Sequence, residues 1–113
     1  MGIDHSFLVS SSNAIKVDPK TKDETPYASD DSGAISVEAG DVIRFKNMKG
    51  TGYIPLNAIM LHAVEGYIKA TLNENDQHVL IVPSGATLGI SSLAIYSVTI
   101  REHCILRYEG LAM

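Results

Sequence analysis

Tryptophan is absent from this 113-residue chain, cysteine occurs once, and charged residues make up only 19%. The single cysteine, Cys104, excludes an intramolecular disulfide and any cysteine-rich zinc site, which fits folding in a reducing cytoplasm. No segment gathers lysine and arginine into a stripe, so the footprint that neutralises a phosphate backbone is missing and nucleic acid is not an expected partner. Long apolar runs are missing too. Nothing approaches the length needed to cross a bilayer, and Met1-Gly2-Ile3-Asp4-His5 lacks the basic start and apolar stretch of a secretory signal. Met1-Gly2 with Ser6 matches the short N-myristoylation pattern, but no polybasic segment follows to supply a second anchor. No membrane partner is expected.

What is present is apolar and strand-forming. Hydrophobic residues make up 45% of the chain and mean hydropathy is +0.09, enough for one core, so residues 1–113 are read as a single domain. Low charge with slightly positive hydropathy implies that part of the surface is covered by something other than water, as in a subunit of an assembly. Charge is unevenly spread. Residues 1–41 carry eight acids against three lysines, a net of −5, while the remainder is close to neutral at +1.

The run from Gln77 to Glu109 holds three short stretches rich in Val, Ile, Thr and Tyr, cut by Pro83-Ser84-Gly85 and Arg101-Glu102-His103. Such runs between turn residues predict antiparallel strands of a small β-sandwich or barrel. Phe7-Leu8-Val9 and Ala14-Ile15-Lys16-Val17 are further candidate strands. Between them and the next apolar run, residues 18–33 are dense in Asp, Pro, Ser and Gly and lack any apolar period, which predicts a long acidic loop or arm. Ala34 to Val37 and Val42 to Asn47 alternate around Glu38-Ala39-Gly40-Asp41 and read as a hairpin. Residues 57–66 admit two readings, a short helix from Asn57 to Gly66 or a strand continuing toward Leu72; the alternation of the continuation favours strand. His78 to Val82 and Leu93 to Ile100 are apolar on both sides. In a small sandwich this predicts that their outer faces meet another subunit, with Val79, Ile81, Leu93, Ile95, Tyr96 and Val98 as interface residues, joined by Tyr27 from the acidic arm.

Chemistry-bearing residues do not assemble into a motif. His5, His62, His78 and His103 are far apart, with no His-x-His or His-x-x-x-His pair to indicate a metal, and His103-Cys104 are neighbours that a strand would turn to opposite faces. Cys104 reads as a buried structural thiol. The carboxylates of residues 18–24 lack the bend-forming glycine and alternating oxygen ligands of a calcium loop. Gly50-Thr51-Gly52 lacks the third glycine and helix of a dinucleotide site and reads as a tight turn. No catalytic residue, cofactor or metal site is assigned.

From Tyr67 to Leu111, an extended run ending at Val82-Pro83-Ser84-Gly85, the strands of 86–100 and a closing Ile105-Leu106-Arg107-Tyr108-Glu109-Gly110 together resemble the small β-structured virion proteins of tailed bacteriophages, the capsid-decoration and head-fibre type. The resemblance implies a non-enzymatic structural subunit of a viral particle, assembled in the host cytoplasm, with capsid or other virion proteins as partners. It also implies a homo-oligomer, with a trimer as first expectation. The alternative is a carbohydrate-binding adhesin or tail receptor-binding module, which would need Tyr27, Tyr53 or Tyr96 exposed as a stacking platform.

Overall fold

The computed structural model describes residues 7–10, 14–17, 24–26, 33–45, 52–73 and 77–112, and they are all-β. Eleven strands follow in chain order: β1 (Phe7–Ser10), β2 (Ala14–Val17), β3 (Glu24–Pro26), β4 (Ile35–Val37), β5 (Val42–Phe45), β6 (Leu56–Glu65), β7 (Ile68–Leu72), β8 (Val79–Val82), β9 (Thr87–Ile95), β10 (Ser97–Ile100) and β11 (Cys104–Ala112). They form two antiparallel sheets, one of five strands and one of six. The five-stranded sheet runs β1-β11-β6-β9, with β4 paired to the opposite end of β11's β1 edge; the six-stranded sheet runs β3-β2-β5-β10-β7-β8. From β4 onward every connection except the β7–β8 hairpin changes sheet, so the strands fall in the orders 4-11-6-9 and 5-10-7-8. These are the interleaved Greek keys of a jelly roll.

One core lies between the sheets. In several strands buried positions recur every second residue, as in Ile35 and Val37, Ile43 and Phe45, Ile68 and Ala70, Val98 and Ile100, and Cys104, Leu106 and Tyr108. Phe45 from the six-stranded sheet meets Tyr108 from the five-stranded sheet edge to face, with ring centroids 5.4 Å apart. In β6 the buried residues Leu56 and Ile59 are three apart, because opposite β11 the two-residue step from Leu56 to Ala58 faces the single step from Ala112 to Leu111, an extra residue that restores the inward phase. Gly110 on β11 lies against this irregularity. A Cβ there would overlap Leu56 Cδ1, so only glycine leaves the fully buried Leu56 in place.

The corners that carry the chain between sheets are tied by specific bonds. Asp41, itself buried, accepts the Glu38 N–H on Oδ2 at 2.8 Å, and Ile100 pairs its backbone with the same corner through Gly40 N–H and Asp41 C=O, both at 2.8 Å. Pro83 to Ala86 close a turn with Gly85 at φ +84°, the left-handed conformation that the third residue of a type II turn requires. Gly85 N–H then donates to Ala63 C=O at 2.7 Å and docks that turn on β6. Asn73, also left-handed at φ 62°, accepts the Tyr96 N–H on Oδ1 at 2.7 Å and donates Nδ2 to Ala94 C=O at 3.1 Å. One side chain after β7 thus holds the point where β9 becomes β10.

These corners correct two sequence expectations. Val37 and Val42 do not flank a hairpin: β4 pairs with β11 and β5 with β2 and β10, in different sheets. The turn between them is a sheet crossing because both strands present apolar faces to the same core from opposite sides. The run from Leu93 to Ile100 is likewise two strands. Tyr96 is the single residue between them, and it resets the phase so that Ile95 and Val98 both point inward. Residues 57–65 are strand, within β6, and Gly66 at φ 77° turns the chain toward β7 in the other sheet. The acidic arm carries the three-residue strand β3, an edge partner of β2 whose Pro26 suits an edge position. The rest of 18–32 lies outside the described residues.

Candidate functional site

The interface residues expected from the sequence divide. Val79 and Ile81 alternate with Leu80 and Val82 on β8, and they are 48% and 56% exposed while Val82 is buried. Among the described residues β8 pairs only with β7 and so ends the six-stranded sheet, and its outer backbone edge and two branched apolar side chains face outward together. Tyr96 is exposed at the β9–β10 corner. Ile95 and Val98 do not belong to any exposed surface: each is at most 1% exposed, sealed between the sheets by the phase reset at Tyr96. Tyr27 lies outside the described residues, and of Leu93 only the place on β9 is described. Of the other tyrosines considered as stacking platforms, Tyr53 is exposed but lies beneath the Arg44 guanidinium, 5.7 Å from the ring centroid.

Cys104 is buried against the core, with its thiol pushed up to about 11 by burial and then by the neighbouring carboxylates of Glu102 and Glu38. A thiol so placed holds its proton at neutral pH and is a poor nucleophile. His103, next in sequence, is exposed and faces Glu38, with Nδ1 2.8 Å from Oε1. His103 lies in the turn before β11 while Cys104 opens the strand facing inward, so the two are separated. His78 is exposed just before β8, and His5 lies outside the described residues.

A second surface was not evident from sequence. On the outward face of the five-stranded sheet, antiparallel register places Thr87 of β9, His62 of β6 and Arg107 of β11 in one row, and Gly89, Met60 and Glu109 in the next. A cleft of about 320 Å³ opens there, lined by Met60, His62, Thr87, Arg107, Tyr108 and Glu109. His62 Nδ1 lies 2.7 Å from Thr87 Oγ1, which fixes the imidazole across the β6–β9 pair. Arg107 and Glu109 are exposed, and no ion pair ties either to another described residue. Gly33, where the description resumes after the acidic arm, borders the Arg107 stem: a methyl placed on it would lie 4.0 Å from Arg107 Cδ.

The cleft therefore presents a cation, a carboxylate, an imidazole, a hydroxyl and an apolar thioether within two rows of one sheet. That combination offers hydrogen-bonding and charged groups side by side. Comparison with models of known protein families returns no match, and comparison with curated proteins returns none either, so the functional reading rests on these two surfaces.

Proposed function

We propose that this chain is a non-enzymatic structural subunit of a viral particle, an accessory or decoration protein that attaches and assembles through its apolar β surface. The carrying observation is the β8 edge. Val79 and Ile81 are about half exposed on the strand that ends the six-stranded sheet among the described residues, with Tyr67 also exposed at the β6–β7 corner. Leaving branched apolar side chains beside unpaired backbone groups in water invites edge pairing or aggregation, and burial against a fixed partner removes both liabilities. The jelly-roll topology supports the reading by analogy, since that architecture builds many viral capsid domains. The resemblance of residues 67–111 to phage virion proteins points the same way. A homo-oligomer, trimeric by the same analogy, on a capsid is the arrangement that covers the edge with the least variety of partners.

Light scattering and sedimentation of the full chain test this reading. The expected result is a defined oligomer, or co-sedimentation with capsids, that is lost in Ile81→Lys while the fold persists. A stable monomer at high concentration with no affinity for particles would overturn it.

A further inference from the structure

From the outward face of the five-stranded sheet we infer a second, independent binding site: the cleft over Met60, His62, Thr87, Arg107 and Glu109 takes a saccharide unit bearing one carboxylate. The inference does not rest on the virion reading, because the β8 edge and this cleft belong to different sheets.

The ligand class follows from the lining. Arg107 offers a planar fork that matches a carboxylate through two parallel hydrogen bonds, a match a point charge does not provide. Glu109, two residues along the same strand and on the same face, is an acceptor for hydroxyl groups and repels any second anion. Dense polyanions such as nucleic-acid backbone are disfavoured by that pairing; a ligand with one anionic group and several hydroxyls satisfies both side chains at once. His62 and Thr87 add a donor and an acceptor in a fixed arrangement, since the bond between Nδ1 and Oγ1 occupies one atom of each and leaves Nε2 and the remaining hydroxyl capacity for the ligand. Met60, 53% exposed between the two ends, supplies an apolar contact for the C–H face of a sugar ring. Strand spacing sets the scale: three strands about 4.8 Å apart and two rows about 7 Å apart suit one ring and not an extended chain. A cleft of about 320 Å³ is at the small end for ligand sites, in keeping with a single unit.

Gly89 adds a steric feature. It sits in register beside Met60 at the margin of the cleft, exposed and without the positive φ that would demand glycine, and a Cβ there would meet Met60 Cγ only at 4.0 Å. Space is left open at the rim where a larger residue would fit the strand equally well.

Titration of the full-length protein with glucuronic acid, galacturonic acid and N-acetylneuraminic acid, followed by NMR or calorimetry, tests the site, with glucose, galactose and acetate as controls. At least one acidic sugar should bind with a dissociation constant on the order of 1 mM, tenfold or more tighter than its neutral counterpart and than acetate. Arg107→Gln should abolish the preference for the acid. Gly89→Val should block all sugar binding, and both variants should keep the wild-type melting temperature because both positions are exposed. A glycan array then separates sources: signal from acid-terminated glycans assigns the site to a glycan end, and signal confined to the free sugar assigns it to a soluble metabolite. Equal affinity for neutral sugars, acetate binding as tightly as the acid, unchanged binding in both variants, or no binding by any acidic sugar would each overturn the inference. Loss of assembly in Ile81→Lys with sugar binding intact would leave the two proposals separately tested.

Discussion

The two sheets of this jelly roll are alike inside and unlike outside. Inward, both present aliphatic and aromatic residues at every second position, and the strands of each interlock with the other through Phe45 and Tyr108. Outward, the five-stranded sheet carries His62, Arg107 and Glu109 beside Thr87, while the free edge of the six-stranded sheet carries Val79 and Ile81. Folding demands the inner pattern from both sheets and is indifferent to the outer one. The outer faces are therefore where the two proposed functions are placed: polar groups in register suit a small hydrogen-bonding ligand, and a strip of branched apolar residues on an edge suits a protein surface.

If one interior supports both surfaces, breaking it must remove them together. Phe45→Ala deletes a fully buried ring that touches Tyr108 across the sheets and should cost about 3–5 kcal/mol. For a domain of this size that is a large part of the total stability. Urea denaturation should show a single transition with a lowered midpoint. Separate transitions for the tyrosine fluorescence and the far-ultraviolet signal would break the picture of a shared core.

Alkaline pH probes the interior from the side of the five-stranded sheet. Cys104 has its folded-state value raised from 9.0 to about 11, so in the unfolded chain the thiol loses its proton first. Stability from this group is fully present below pH 9 and is lost as pH rises toward 11, a change of up to about 3 kcal/mol. Tyr108 is pushed in the same direction by burial and adds to the slope above pH 10. Thermal melts across this range should show a falling midpoint from pH 9 upward, and Cys104→Ala should flatten the first part of the fall. A slope unchanged by that substitution would remove Cys104 as its cause.

The strands themselves were legible because β-branched runs between turn residues report a half-buried pleat directly; residues 57–65 follow the favoured strand reading, although the chain changes sheet at Gly66–Tyr67 instead of continuing as one strand toward Leu72. What was not legible was which sheet each strand joins. A sheet change can occur at one ordinary residue, and Tyr96 carries no glycine or proline signal. Read as one strand, Leu93 to Ile100 seemed apolar on both sides, and Ile95 and Val98 were assigned to an interface they cannot reach. Val79 and Ile81 do lie outward, as expected, because β8 is a single strand with one phase. The polar cleft was missed because His62, Thr87 and Arg107 are distant in sequence and meet only through register. Its one sequence trace is that Arg107 and Glu109 interrupt the apolar closing strand at alternate positions.

Asn73 sharpens the role of the corners that join the two sheets. Asn73→Ala removes its bonds to Tyr96 and Ala94 and leaves a β-carbon in a left-handed backbone, a combined loss of about 2–3 kcal/mol. Asn73→Gly loses the bonds but relieves the backbone, so about 1–2 kcal/mol is expected. Chemical denaturation of the pair separates the two contributions. Identical losses would show that the left-handed conformation carries no strain for alanine at this corner.

The smallest effect on stability should accompany the largest effect on association. Ile81→Lys places a charge on the outer edge of the six-stranded sheet, where the side chain is 56% exposed and, among the described residues, the backbone pairs only toward Lys69. Its removal takes little from the core, so the melting midpoint should move by no more than about 0.5 kcal/mol equivalent. A lysine at this edge also opposes strand pairing, the device by which natural sheets keep their edges apart. Sedimentation should therefore show the variant as a folded monomer with its sugar titration unaltered, while the parent chain associates. If Ile81→Lys instead associates as well as the parent, the apolar edge is not the contact, and the outward face of the five-stranded sheet becomes the surface through which copies or partners meet.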